Sequence, residues 1–122
     1  MDVLSTANAL GALLGAASSV LGVARPGLGL PAGAPVTAGV RVYVRAYAVR
    51  AVPLGLATAA AVLAGDPATA RALLLVSGAA QVGDSAIGFR QRNLGMGCGA
   101  GALAVLHLAT AWWSARWAGW WA

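Results

Sequence analysis

The sequence predicts an all-α integral membrane protein, a single domain in which four helices cross the bilayer as a bundle. The first observation is composition: 60% of the 122 residues are hydrophobic and only 9% are charged, whereas an ordinary soluble domain carries about 25% charged residues. The second is length, because a membrane-spanning helix needs about 20 residues. Four such helices account for most of the chain and leave only short loops between them. No separate soluble domain is expected.

The apolar runs and the residues that interrupt them place the four helices at about 3–23, 37–64, 68–89 and 94–117. The first run begins after Asp2 without the basic segment of a secretory signal, so it is expected to remain as a membrane helix. A cluster of prolines and glycines marks the loop from 24 to 36, and the triplet that begins at Gly65 is typical of the turn after the second helix. A short polar loop that ends with Asn93 precedes the fourth helix. All five tryptophans follow near the end of that helix, where an aromatic belt at the membrane surface would place them: Trp112, Trp113, Trp117, Trp120 and Trp121.

The distribution of charge predicts the orientation of the bundle. The first and third loops carry Arg25, Arg90 and Arg92, with Arg41 close by. The opposite side has two acids and two arginines: Asp2, Asp66, Arg71 and Arg116. Because arginines favour the cytoplasmic side, both termini are predicted to lie outside, in a bacterial cytoplasmic membrane. The net charge of +5 is explained by this topology. Without a dense basic patch, nucleic-acid binding is not expected.

Polar and charged side chains inside the predicted helices mark the candidate site. A charge near the bilayer centre costs at least about 2.5–3.5 kcal/mol, so each one needs a partner or a function. These side chains fall on the second, third and fourth helices: Arg45, Arg50, Tyr43 and Tyr47; Ser77, Gln81, Asp84 and Ser85; His107 and Thr110. Spacings of three, four, seven or eight residues give these helices polar stripes. Counting residues along the helices places Asp84 at the depth of Arg45, and His107 at the depth of Arg50.

Two interpretations of this cluster remain open. In the structural interpretation, Asp84 forms a buried ion pair with Arg45 or Arg50 that locks the bundle. In the functional interpretation, two arginines against one aspartate leave a surplus positive charge that an anionic or electron-rich ligand balances, and His107 exchanges a proton near neutral pH. The single Cys98 offers no cysteine-paired metal motif. Neither a metal nor a cofactor is expected.

Alternating glycines begin the fourth helix: Gly95, Gly97, Gly99 and Gly101. They form two overlapping GxxxG patterns, which favour close helix packing in membranes. Such packing could occur within the bundle or between copies in a homo-oligomer. A ligand lying against the bare backbone is the alternative.

Three short motifs occur in order along the second, third and fourth helices. They are the run from Val44 to Arg50 followed by Pro-Leu-Gly-Leu, the segment Gln81-Val82-Gly83-Asp84-Ser85, and Leu106-His107-Leu108. Together they resemble the DoxX-like group of small four-helix membrane proteins and its uncharacterised relatives, over about residues 8–115. In such relatives an acidic residue often follows the second arginine, where this chain has Ala51. The resemblance implies a four-helix bundle, and some DoxX-type proteins are linked to quinone-coupled sulfur oxidation.

The predicted function is cofactor-independent acid/base catalysis on a lipophilic substrate, by an isomerase or a cyclase. His107 and Asp84 would act as acid and base, and Arg45 and Arg50 would stabilise a developing oxyanion. The substrate-binding residues would be Tyr43, Tyr47, Ser77, Gln81, Ser85 and Thr110. One alternative is a quinone-binding or redox accessory subunit, in which Arg50, His107 and Tyr47 bond to the quinone oxygens. The other is a structural or transport subunit.

Overall fold

A computed structural model of the chain has four helices, described for residues 2–118, with side chains described through Arg116. The helices are α1, Val3–Ala24; α2, Ala38–Ala64; α3, Pro67–Arg90; and α4, Leu94–Ala118. The loop predicted over 24–36 also contains a one-turn 3-10 helix, Pro26–Gly29, whose first residue is a proline with φ already fixed. Residues 2–118 contain no strand. All four helices are long and apolar enough to cross a membrane, which confirms the predicted integral membrane four-helix bundle.

Polar residues immediately before the helices set their starting points. Each accepts a hydrogen bond from a backbone N–H in the following turn, at 2.6–3.3 Å: Asp2, Thr37, Asp66 and Asn93. The backbone N–H of Ser5 lowers the pKa of Asp2, and the hydroxyl of Thr69 lowers the pKa of Asp66. Both acids are therefore ionised at neutral pH. A negative charge is favourable at the N-terminus of a helix.

The helices form two closely packed pairs, α1 with α2 and α3 with α4. Glycines permit both contacts. A Cβ atom at Gly55 would lie 2.7 Å from the carbonyl oxygen of Ala12, and one at Gly88 would lie 2.5 Å from the backbone nitrogen of Gly97. The two pairs contact each other less, mainly through α2 and α3. Space is left between them, and the candidate site lies there.

Aromatic side chains lie near the end of α4. Trp112 and Trp113 are 55% and 52% exposed, and the guanidinium of Arg116 lies 4.3 Å from the centroid of a Trp112 ring. Such exposed rings beside a cation suit the predicted interface belt. The side chain of Trp117, and Trp120 and Trp121 as a whole, lie outside the described part of the protein.

Candidate functional site

Two adjoining cavities lie between the helix pairs. The first, here the polar cavity, has a volume of about 480 Å³ and is lined by residues of all four helices. The second, here the apolar cavity, has a volume of about 670 Å³ and extends to the 3-10 helix and the loop between α3 and α4. Tyr43, Tyr47, Gln81 and Asp84 line both, so the cavities meet at these side chains. Each volume is within the range of about 300–1,000 Å³ that is usual for ligand pockets.

The carboxylate of Asp84 is bound by a tyrosine. The Tyr47 hydroxyl donates a hydrogen bond to Asp84 Oδ2. The predicted ion pair with an arginine is not formed: within the side chains described up to residue 116, Asp84 has no arginine partner. The reason is rotation about the axis of α2. Arg45 precedes Tyr47 by two residues, which is about 200° around a helix of 3.6 residues per turn, so its side chain leaves the opposite side of α2.

The two arginines of α2 that were predicted for the site have different surroundings. Arg50 lines the polar cavity, and its Nε donates to the carbonyl oxygen of Ala46 at 3.2 Å. Its two terminal nitrogens have no hydrogen-bond partner among the described residues. Both side chains are exposed, but Arg45 lines neither cavity. The charged lining of the polar cavity is therefore one arginine and one aspartate, and the predicted surplus of positive charge is not there.

His107 is only 1% exposed and is tied to α1. Its Nδ1 lies 2.9 Å from Oδ1 of Asn8, a fully buried residue. The amide nitrogen of Asn8 donates to Thr110 Oγ1 and to the carbonyl oxygen of Leu4, both at 2.8 Å. The site was predicted between α2, α3 and α4, but α1 completes it. Asn8 was missed because the search centred on charged side chains, although a lone amide inside an apolar helix is itself a signal of cross-helix bonding.

The polar face predicted on α3 is divided among its neighbours. The hydroxyls of Ser77 and Thr58 are 2.8 Å apart, and Ser85 donates to the carbonyl oxygen of Gly97 at 2.7 Å. Ser77 lines the polar cavity, but its hydroxyl is engaged by α2. Ser85 and Thr110 line neither cavity. Both form hydrogen bonds between helices, and their predicted role in substrate binding gains no support from the cavity lining.

The side chain of Gln81 lies where the cavities meet. Its amide has no hydrogen-bond partner in the part of the chain that the structure describes. Gly15 faces it from α1, where a Cβ atom would lie 3.2 Å from Gln81 Nε2. Tyr43 lines the same junction and stacks beside Tyr47 with ring centroids 6.4 Å apart. The polar groups left for a ligand therefore include the Gln81 amide and the Arg50 guanidinium.

The alternating glycines of α4 have two roles. Gly97 lies against the backbone of α3, and a Cβ atom at Gly101 would lie 3.1 Å from Ser85 Oγ. Gly95 and Gly99 line the apolar cavity. A Cβ atom at Gly99 would meet nothing within 4 Å. Close packing and an open backbone surface thus occur in the same segment.

The fold and the cavities define a class of protein: a small integral membrane bundle with a partly open polar cavity between two helix pairs. No protein-family model, no curated protein and no solved structure matches the chain. The resemblance to the DoxX-like group stays a prediction from three motifs. Within residues 2–118, no group of three His, Cys, Asp or Glu side chains could hold a metal ion.

Proposed function

We propose that the protein is a cofactor-independent acid/base enzyme, an isomerase or a cyclase, that acts on a lipophilic substrate in a bacterial cytoplasmic membrane. The observation that carries this proposal is the shared lining of the polar cavity by His107, the Tyr47–Asp84 pair and Arg50. General acid/base catalysis needs groups that reach the reacting atoms directly or through one water. A developing oxyanion needs a preorganised positive group beside it. The cavity offers both kinds of group.

Each of these groups has a distinct role in the proposal. His107 takes a proton from the substrate through the ring nitrogen that Asn8 does not engage. Arg50 stabilises the negative charge that develops on a substrate oxygen, with terminal nitrogens that no described side chain occupies. The Tyr47–Asp84 pair donates and accepts a proton at a second position in the cavity. A proton removed at one atom of the substrate is replaced at another, so the reaction needs neither an oxidant nor a reductant.

The apolar cavity supports a lipophilic substrate. It adjoins the polar cavity at Tyr43 and Gln81 and continues to Leu28 in the 3-10 helix. A substrate with its polar group beside His107 can extend its apolar part past the tyrosines into this space. The arginines of the nearby loops predict that this end faces the cytoplasm, so the substrate would lie in the cytoplasmic half of the bilayer.

Two other functions each have one observation in their favour. The free guanidinium nitrogens of Arg50 can donate hydrogen bonds to a carbonyl oxygen, as a quinone-binding accessory subunit requires. The structural alternative is favoured by complete pairing: among the described residues, no fully shielded side-chain nitrogen or oxygen lacks a hydrogen-bond partner. Neither alternative accounts for the free amide of Gln81 at the junction of two cavities.

Exchange of carbon-bound hydrogen tests the proposal. The purified protein in lipid nanodiscs is incubated in D₂O with a total lipid extract of the source membranes, and mass spectrometry follows deuterium gain. We expect a lipophilic species to gain deuterium only when the protein is present. Arg50→Gln should lower the rate about 100-fold or more, as the loss of an oxyanion-stabilising group does.

Arg45→Gln is the matched control, because it removes the same charge from the same helix outside the cavities. It should leave the exchange rate unchanged. Absence of exchange with the unaltered protein, or an equal loss in both variants, contradicts the proposal. A change in the oxidation state of a bound quinone would favour the accessory subunit.

A further inference from the structure

We infer that Asn8 holds the ring of His107 in one tautomer, with the proton on Nδ1. The lone pair of Nε2 then faces the polar cavity. A ligand in the cavity must therefore donate a hydrogen bond to Nε2. The tautomer follows from the hydrogen bonds around Asn8. The requirement on the ligand rests on the proposed function, because it takes the cavity to be the substrate site.

The orientation of the Asn8 amide is set by a backbone carbonyl. The oxygen of Leu4 lies 2.8 Å from Asn8 Nδ2, and a carbonyl oxygen can only accept. Exchanging the nitrogen and oxygen of the amide would place two acceptors against each other. The amide nitrogen must therefore face Leu4, and the amide oxygen must face His107 at 2.9 Å.

Thr110 accounts for the second hydrogen of that amide. Its hydroxyl donates to the carbonyl oxygen of Leu106 at 2.8 Å, so its oxygen accepts from Asn8 Nδ2. Both amide hydrogens of Asn8 are then in use, and Oδ1 is left as an acceptor. A neutral imidazole has one protonated and one unprotonated nitrogen. The nitrogen that faces Asn8 Oδ1 must be the protonated one.

The unprotonated Nε2 is left for the cavity. It has no hydrogen-bond partner among the described residues, and no fully shielded polar side-chain atom there is without one. Nε2 therefore keeps a small exposed surface. We place this surface in the polar cavity, because that is the cavity His107 lines. A lone pair at this position accepts from a hydroxyl, an enol or a phenol, but it offers nothing to a carbonyl oxygen. A hydroxylated or enolic substrate fits, whereas an oxidised quinone does not fit at this nitrogen.

Nitrogen NMR can measure the tautomer directly, because His107 is the only histidine in the chain. Protein labelled with ¹⁵N-histidine in nanodiscs gives one pair of ring signals, which couplings to the ring carbon-bound protons assign to Nδ1 and Nε2. We expect the Nδ1–H tautomer as the only species in the unaltered protein. A ring protonated on Nε2, or on both nitrogens, overturns the inference without any variant being needed.

Two variants test the cause. Asn8→Ala removes the acceptor, and we expect loss of the pure Nδ1–H signal in favour of the other tautomer or a mixture. Thr110→Val is the matched control: it removes one partner of the same amide but leaves Leu4 to orient it, so the tautomer should be unchanged. Retention of the Nδ1–H form in Asn8→Ala would show that Asn8 is not the positioning residue.

A pair of probes tests the requirement on the ligand. 4-Nonylphenol and 4-nonylanisole have nearly the same shape, but only the phenol donates a hydrogen bond. At equal mole fraction in the nanodisc, the phenol should shift the Nε2 resonance and the anisole should not. Equal shifts, or no shift from either probe, contradict the requirement. The NMR shifts report binding without turnover. A failure of this test can therefore be distinguished from a failure of the deuterium exchange experiment.

Discussion

The contact between α3 and α4 at Gly88 should be sensitive to the addition of a single methyl group. A Cβ atom there would lie 2.5 and 2.8 Å from the nitrogen and Cα of Gly97, and 3.0 Å from the carbonyl carbon of Met96. Ordinary van der Waals contact begins near 3.4 Å. All three neighbours are backbone atoms, so no side-chain rotation can relieve the overlap. Gly88→Ala therefore requires the two helices to move apart.

The size of the effect can be estimated from two opposing contributions. Overpacking a well-packed contact typically costs about 1–3 kcal/mol. Alanine is preferred over glycine in a helix by about 0.5–1 kcal/mol, which acts in the opposite direction. Because three backbone atoms overlap with the added methyl group, we take about 2–3 kcal/mol for the overpacking. Gly88→Ala should then lower the free energy of unfolding by about 1–2.5 kcal/mol.

Gly83 supplies the control on the same helix. A Cβ atom at Gly83 would meet nothing within 4 Å, so only the helix preference remains, and Gly83→Ala should be neutral or stabilising by up to about 1 kcal/mol. The assay is SDS-driven unfolding from mixed micelles, followed by circular dichroism and by tryptophan fluorescence. Equal unfolding free energies for the two variants would refute the packing argument.

Three further outcomes are expected. Asp84→Asn should lower the free energy of unfolding by about 1 kcal/mol, because Tyr47 can still donate a hydrogen bond to the amide oxygen. A loss of about 3–5 kcal/mol in the same assay would instead reveal an ionic partner of Asp84. Gly99→Leu should fill part of the apolar cavity and reduce the amount of lipophilic molecule that co-purifies, measured by mass spectrometry, while Gly83→Leu should not; equal retention by both argues against occupancy of that cavity. With the single cysteine replaced by serine, Ala34→Cys should react with an impermeant maleimide only from the cytoplasmic side and Ala68→Cys only from outside, and the reverse pattern would invert the predicted topology.

The fold could be predicted from the sequence because its signals are local. Long apolar runs, with turn residues between them, need no knowledge of tertiary contacts, and the helix ends observed lie within one residue of those predicted. Depth in the membrane is also local, because each helical residue adds 1.5 Å. That count matched Asp84 with Arg45 and His107 with Arg50. Asp84, His107 and Arg50 do line one cavity, but Arg45 lines neither.

The partners within the site could not be predicted in the same way. Which residue of α2 faces Asp84 depends on rotation of the helix about its axis, and this rotation selects Tyr47 over Arg45. The bond between Asn8 and His107 depends on how α1 and α4 are placed, at a separation of 99 residues along the chain. Neither the rotation of α2 nor the relative placement of α1 and α4 can be predicted from residue spacing or periodicity. Contacts at glycines contribute to this placement, such as Gly55 on Ala12 between α2 and α1, and Gly11 beside Leu103 between α1 and α4.

Two polar residues, one in α1 and one in α2, form hydrogen bonds that suit synthesis into a membrane. Among the cross-helix hydrogen bonds, Tyr47 bonds to Asp84, Thr58 to Ser77, and Asn8 to His107. Because the ribosome delivers the N-terminal part first, each later side chain meets a partner that is already in the bilayer. Asn8 and Thr58 also bond to the carbonyl oxygens of Leu4 and Leu54, one turn back in their own helices. These two residues therefore have a hydrogen-bond partner within their own helix while the rest of the chain is still being made.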